Sequence, residues 1–183
     1  MGQKEIQMSI QETTKQALSE LFIDQATDTV IAEPPPAATE EGVEQEEAVR
    51  LPGVIDQNYD TKGFHLDALV EPEQLVRAAE ILFGLGFFIE SITGVDWIKE
   101  DQLEAVYDFS RYDFDLCRVV IRVTIPRTDP HLPTITGVYT GANWHERETH
   151  DFFGIVFDGH PHLIPLLLPE DADFHPLLKD FKA

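Results

Sequence analysis

Nine consecutive residues, Asn143-Trp144-His145-Glu146-Arg147-Glu148-Thr149-His150-Asp151, form the densest group of titratable side chains in the sequence, and their types are those that bind metals or move protons. A zinc-hydrolase helix needs His-Glu-x-x-His, two imidazoles one turn apart with a carboxylate as base. Here the position four after His145 is Thr149, so the second ligand is missing. On a helix Glu146 shares a face with His150, and Arg147 with Asp151, a spacing that more often stabilises a surface or an interface. His160, His162 and His175 lie beside prolines, with no second ligand fixed by local spacing. No nucleophile elbow, phosphate-binding glycine loop or dinucleotide fingerprint occurs. Cys117 falls on the apolar side of an alternating segment and reads as a small buried residue rather than a nucleophile. The residues alone therefore predict a binding or assembly protein, with no catalytic, cofactor-binding or metal-ligating set.

Composition narrows the partners. The 183 residues carry 34 Asp+Glu against 13 Lys+Arg, a formal net charge of -21, and that field repels phosphate backbones and anionic lipid headgroups. Nucleic acid is not an expected partner. The excess is spread along the chain, -9 over residues 1–62 and -12 over residues 63–183. A single cysteine excludes an internal disulfide, a Cys-rich zinc site and an iron–sulfur cluster held by this chain alone. No apolar run reaches signal length at the start, and none approaches the roughly 20 residues of a bilayer span. These features predict a soluble cytoplasmic protein with no direct membrane span.

The 143–151 group has to be held in place by the segments on either side of it. Residues 1–62 form an N-terminal extension. A weak apolar stripe of Ile6, Ile10, Leu18 and Leu21 marks a short helix over 5–23, which propensity alone does not hold in water. Pro34-Pro35-Pro36 and the run Glu40, Glu41, Glu44, Glu46, Glu47 then mark a disordered acidic linker. Residues 63–154 read as an α+β core domain, a single unit with a largely antiparallel sheet and packed helices. Phe64, Leu66 and Ala68 alternate as a strand. Pro72 opens a helix carrying Leu75, Ala78, Ala79, Leu82 and Phe83, stopped by Gly84 and Gly86. Phe87–Ile92 comes next and is followed by a turn region at Gly94-Val95-Asp96-Trp97. Leu103, Ala105, Tyr107 and Phe109 mark the next strand, and Cys117, Val119, Ile121, Val123 and Ile125 its antiparallel partner, with Arg118, Arg122 and Thr124 on a wet face. Pro126–Pro133 reads as a loop, and from Thr134 the pattern becomes helical, with Val138, Ala142 and His145 on one side, ending at Gly154.

Residues 155–183 read as an extended tail for partner docking. Prolines at 161, 165, 169 and 176 forbid a helix or a central strand. Ile164, Leu166, Leu167, Leu168, Leu177 and Leu178 would make a sticky strip if left exposed. The tail must fold back over its own domain or lie along a partner, and the second reading is preferred.

Three strings carry a family resemblance: Ala142 to Ile155 with its Glu-Arg-Glu core, Gly159-His160-Pro161, and His175-Pro176-Leu177-Leu178-Lys179-Asp180-Phe181. In these, and from about Gly63 onward, the sequence resembles the 30 kDa subunit of respiratory complex I. The resemblance implies an accessory subunit in the peripheral arm of a membrane-bound NADH:quinone oxidoreductase, an ion-translocating complex, on the cytoplasmic face of the plasma membrane. It implies no active site and no cofactor on this chain, the flavin, iron–sulfur clusters and quinone being held by partner subunits. The expected partners are the large, 49 kDa-type quinone-site subunit and other peripheral-arm subunits. Trp144, Glu146, Arg147, Glu148, Asp151, Gly154, His160, Pro161, Leu166, Leu167, Leu168, His175, Pro176, Lys179 and Asp180 become structural and interface residues, with Arg147 expected to hold a carboxylate in a fork of hydrogen bonds. The chain departs from the family where Ile164-Pro165 replaces a basic pair and Leu178 a basic residue. Because of these departures, an equivalent subunit of a membrane-bound [NiFe] hydrogenase or formate hydrogenlyase-type complex is the alternative.

Overall fold

The computed structural model describes residues 9–25, 51–113 and 116–182. Ile6 and the acidic run Glu40–Glu47 lie outside them. The chain forms α1 (Ile10–Ser19), β1 (Gly53–Asp56), α2 (Tyr59–Lys62), β2 (Leu66–Leu69), α3 (Leu75–Gly84), β3 (Phe88–Trp97), β4 (Gln102–Arg111), β5 (Cys117–Pro126), β6 (His131–Pro133), α4 (Ala142–Phe153) and β7 (Val156–Asp158). Five strands make one sheet in the order β1-β2-β5-β4-β3. Only β2 and β5 run parallel; the other three pairings are antiparallel. The α+β class with a mostly antiparallel sheet is therefore as the alternation predicts.

The long hairpin of β4 and β5 is the centre of the fold. Tyr107 stands opposite Ile121 and Phe109 opposite Val119, so the apolar residues of both strands share one face. That face joins a single core with Leu18 of α1 and Leu75, Ala78, Ala79 and Leu82 of α3. Phe83, one residue beyond Leu82, turns outward and meets Tyr139 edge-on at 5.5 Å. The opposite face is less wet than its arginines suggest. Buried Asp67 and Glu104 flank Arg122 at 3.1 and 3.4 Å, and the Trp97 indole N–H donates to Glu104 at 3.0 Å.

Four expectations need correction. The sheet begins at Gly53, ten residues before Gly63, because β1 pairs antiparallel with β2; four residues are too few to show an alternation. Gly94–Trp97 is not a turn but the second half of β3, and the chain turns only at Ile98–Asp101. The last residues of the Pro126–Pro133 loop pair in parallel with β7 as β6, and that draws the start of the presumed tail into the core through Ile155 and Phe157. The helix expected from Thr134 starts only at Ala142. Gly137 and Gly141 weaken the earlier stretch, which closes tight turns instead, Val138 and Tyr139 both donating to Ile135 O at 2.9 Å.

The N-terminal helix docks on this domain. Ser9 and Glu12 form a reciprocal capping box. Leu18 is fully buried, Lys15 pairs with Asp56, and the Gln74 amide donates to Leu21 O at 2.7 Å.

Gly94 sets the distance between α4 and the sheet. A Cβ there would stand 2.3 Å from Cδ2 of Phe153, the last residue of α4. Glycine in mid-strand is weak on propensity, and here it marks a ring lying against the backbone. Gly94→Ala should destabilise the chain by about 1–3 kcal/mol, as overpacking does. Urea unfolding checks this, and Phe153→Leu in the same chain should recover part of the loss.

Candidate interface site

The 143–151 group lies on α4, which packs along β3 and ends at Gly154. That glycine is left-handed (φ 76°), and its N–H donates to His150 O at 2.9 Å. The helix sorts its charged residues by face. Glu146 and Thr149 point inward, and the Thr149 hydroxyl donates to Ile92 O of β3 at 3.2 Å. Trp144 and Glu148 point outward, Trp144 being 60% exposed with the Arg147 guanidinium over its ring at 5.4 Å. Arg147 and Asp151, one turn apart, face the tail.

These two residues bind five consecutive residues of the tail by backbone alone. Arg147 donates from Nε to Ile164 O (2.9 Å) and from a terminal nitrogen to Pro165 O (2.8 Å). The expected fork is present, but it takes two carbonyls rather than a carboxylate. Asp151 Oδ2 accepts the N–H groups of Leu166, Leu167 and Leu168 at 2.9, 2.7 and 3.1 Å. Burial pushes the Asp151 carboxyl up, and the three amides outweigh it, holding it below the usual carboxylate range. A cation thus takes the carbonyls and an anion takes the amides, where prolines prevent the tail from pairing them within a helix or sheet.

Further anchors continue to the C-terminus. The His175 Nδ1–H donates to Asp151 O at 2.9 Å, and its ring rests where a Gly154 Cβ would be, 2.8 Å away. Next to Pro176, the Leu177 N–H donates to Phe152 O at 3.1 Å. Lys179 N–H donates to Asp96 at 2.7 Å, and its ammonium lies 5.8 Å from the Trp97 ring. Asp180 pairs with Arg127, which also forks onto buried Asp96 at 3.0 and 3.3 Å. Asp96 and Arg127 are missed at the sequence level, one hidden in a presumed turn and the other in a presumed loop. The signal was available in the alternation Ile92, Gly94, Asp96, which puts a carboxylate on the core face, where it requires a cation.

The tail therefore straps onto its own domain, contrary to the preference for a partner alone, yet it leaves an apolar edge outside. Of the three leucines Leu167 is 61% exposed while Leu166 and Leu168 are half-buried; Leu177, Ile164, Phe174 and Phe181 are exposed too. Phe174 and Phe181 stack at 5.5 Å.

A second cluster lies beneath the inner face of α4. The Glu146 carboxyl, fully buried, accepts from the Ile135 N–H at 2.8 Å and from the Thr134 hydroxyl. The His160 ring, also fully buried, sits 3.9 Å from it and donates from Nε2 to Asn143 O at 3.3 Å. Its Nδ1 accepts the His162 N–H at 3.0 Å, which fixes the neutral tautomer, and burial lowers its pKa. Pro161 lines a surface groove beside this cluster. Among the described residues no group of three or more His, Cys, Asp or Glu is placed to hold a metal ion.

Asp151→Asn should cost about 1.5–3 kcal/mol, the value of hydrogen bonds to a charged group, read as a lower urea midpoint together with faster amide exchange at Leu166–Leu168. For Glu146, burial pushes the carboxyl up to about 7. The folded chain holds a proton that the unfolded chain releases between about pH 4.3 and 7. Its contribution is complete below the unfolded value and lost as pH rises through the folded one. Glu146→Gln keeps the neutral form, so between those limits its stability relative to the parent should rise by roughly 3 kcal/mol, measured by urea unfolding at several pH values.

A family model described as respiratory-chain NADH dehydrogenase, 30 Kd subunit, matches residues 68–183. An NADH-quinone oxidoreductase subunit of Roseiflexus sp. (strain RS-1) is 40% identical over 135 residues, covering 71% of this chain and 76% of that protein. An F(420)H(2) dehydrogenase subunit of Methanosarcina mazei is 34% identical over 137 residues, covering 73% and 86%. Other relatives are longer, the match spanning 48% of an NADH-quinone oxidoreductase subunit of Salinispora arenicola. Among solved structures, a chain of the membrane-bound sulfane sulfur reductase, an archaeal respiratory membrane complex, aligns with a TM-score of 0.58 and 28% identity over 64% of this chain and 71% of that one. With the match covering most of the sheet, α4 and the whole strap, the chain belongs to the 30 kDa subunit family of respiratory-chain NADH dehydrogenases.

Proposed function

We propose that this chain is a non-catalytic peripheral-arm subunit of a membrane-bound complex that passes electrons from NADH to quinone, coupled to ion translocation. In this reading it scaffolds the large quinone-site subunit, while the flavin, iron–sulfur clusters and quinone belong to its partners. The assembly sits on the cytoplasmic face of the membrane. In this reading attachment runs through partner subunits; no helix among the described residues is long and apolar enough to cross a bilayer.

The observation that carries the reading is the outer edge of the strap. Its backbone is fixed to α4 and β3 at Ile164–Leu168, Leu177 and Lys179, and Ile164, Leu167, Phe174, Leu177 and Phe181 are exposed along it, as is Trp144 on α4. Prearranged apolar side chains lose little entropy on docking and serve as anchors for a partner. A second reading keeps the scaffold and changes the electron donor, because the F(420)H(2) dehydrogenase relative is covered over more of its length than the Roseiflexus one.

The test is to tag the chain, solubilise the membranes gently, and assay what co-purifies for oxidation of NADH and of reduced F420 by quinone. Quinone reduction by NADH supports the first reading, and by reduced F420 the second. The double variant Leu167→Ser/Leu177→Ser should unfold at the same urea concentration as the parent, since both side chains face water. Its recovery in the complex should fall tenfold or more, because burying each leucine contributes roughly 1.5–3 kcal/mol. Undiminished recovery would contradict the docking role.

A further inference from the structure

Glu146 is a fully buried carboxyl with a route to water. A surface groove of about 470 Å³ is lined by Thr134, Thr136, Thr140 and Asn143 with Gly159 and Pro161. The Thr136 hydroxyl on its wall lies 2.9 Å from the Thr134 hydroxyl, and Thr134 bonds in turn to the buried carboxyl. When Glu146 is ionised, Thr136 donates to Thr134 and Thr134 donates to the carboxylate. When it is protonated, the carboxyl donates to Thr134 and Thr134 to Thr136. A proton arriving at Thr136 from groove water is therefore passed on as each hydroxyl hands over its own. The net result is one proton on Glu146 and a reversed line of bonds.

We propose that Thr136, Thr134 and Glu146 form a proton port, and that His160, at the head of the strap, reads the charge it sets. The only bond made by His160 Nε2 among the described residues is a long one, 3.3 Å to Asn143 O, with the Glu146 oxygen 3.9 Å from the same nitrogen. An ionised Glu146 draws that N–H away from the carbonyl. The movement passes through Nδ1 to the His162 N–H and so to Ile164 and Pro165, whose carbonyls Arg147 holds. The Tyr107 hydroxyl of β4 is completely buried, without a hydrogen-bond partner among the described residues, and its burial, together with the charge of Glu146, pushes its pKa up.

Other titratable groups around α4 have separate partners. On β3, Glu90 pairs with Arg118 and Asp96 with Arg127; on β7, Asp158 bonds to His131. Arg147, His162 and His150 stand near His160 and add to the burial that lowers its pKa.

The test is a side-chain carbonyl ¹³C and amide ¹H–¹⁵N titration of the full chain from pH 5 to 8.5. One glutamate carboxyl should titrate near 7 instead of in the ordinary range near 4.3, and the amides of His162 and Leu166–Leu168 should shift with the same midpoint. In Glu146→Gln both transitions disappear, while histidine titrations elsewhere remain. Thr134→Val, which keeps the acid and removes a bond favouring its ionised form, should move the midpoint upward. The proposal is overturned if all glutamate carboxyls titrate in the ordinary range, if the strap amides shift identically in the glutamine variant, or if Thr134→Val leaves the midpoint unchanged.

Discussion

A backbone interrupted by four prolines pairs only a few of its own amides and carbonyls, in turns, and cannot pair the rest in a helix or sheet; the arrangement around α4 follows from where those groups go instead. Along Ile164–Leu168 they go to Arg147 and Asp151. Both contacts read backbone, so they are indifferent to the side chains at those positions. Ile164 and Pro165 are held through their carbonyls, whatever side chains they carry. This also frees the side chains on the outer edge to serve a partner.

The clamp works only if α4 is fixed. Three contacts place it: Phe153 against the bare backbone of Gly94, the Thr149 hydroxyl on Ile92 O, and Glu146 beneath the Thr134–Ile135 turn. The far end of the strap is held by Asp96, which is paired with Arg127 and accepts the Lys179 N–H, while Asp180 pairs with the same arginine. In a chain of net charge -21, arginines are few, and two of them sit between carboxylates, Arg122 between Asp67 and Glu104 and Arg127 between Asp96 and Asp180.

Where periodicity is long the sequence is a good guide. β4, β5 and α3 each run ten residues, and their apolar core positions follow the alternation or the helical spacing; the exceptions are Phe83, which is exposed, and Glu104, Ser110 and Val120, which are buried on the other face of the sheet. Short or glycine-bearing elements escape: β1 has four residues, β6 and β7 three each, and β3 contains the glycine that imitates a turn. The site was half legible. Glu146, Arg147, Asp151, His160, His175, Lys179 and Asp180 were marked by the family strings, but their partners are backbone groups or residues far away in sequence, such as Asp96, Arg127 and Thr134. Spacing does not encode such contacts, and the pairing of Arg147 with carbonyls rather than a carboxylate is decided by the tail's prolines.

All of this requires that the strap be seated on its own chain before any partner arrives, and amide hydrogen exchange on the isolated full-length chain decides whether it is. Protection at Leu166, Leu167, Leu168, Leu177 and Lys179, well above that of an unstructured peptide of the same sequence, is the expected outcome. Exchange at peptide rates throughout 164–181, in a chain whose β4 and β5 amides remain protected, would contradict it and return the tail to a segment ordered only by its partner.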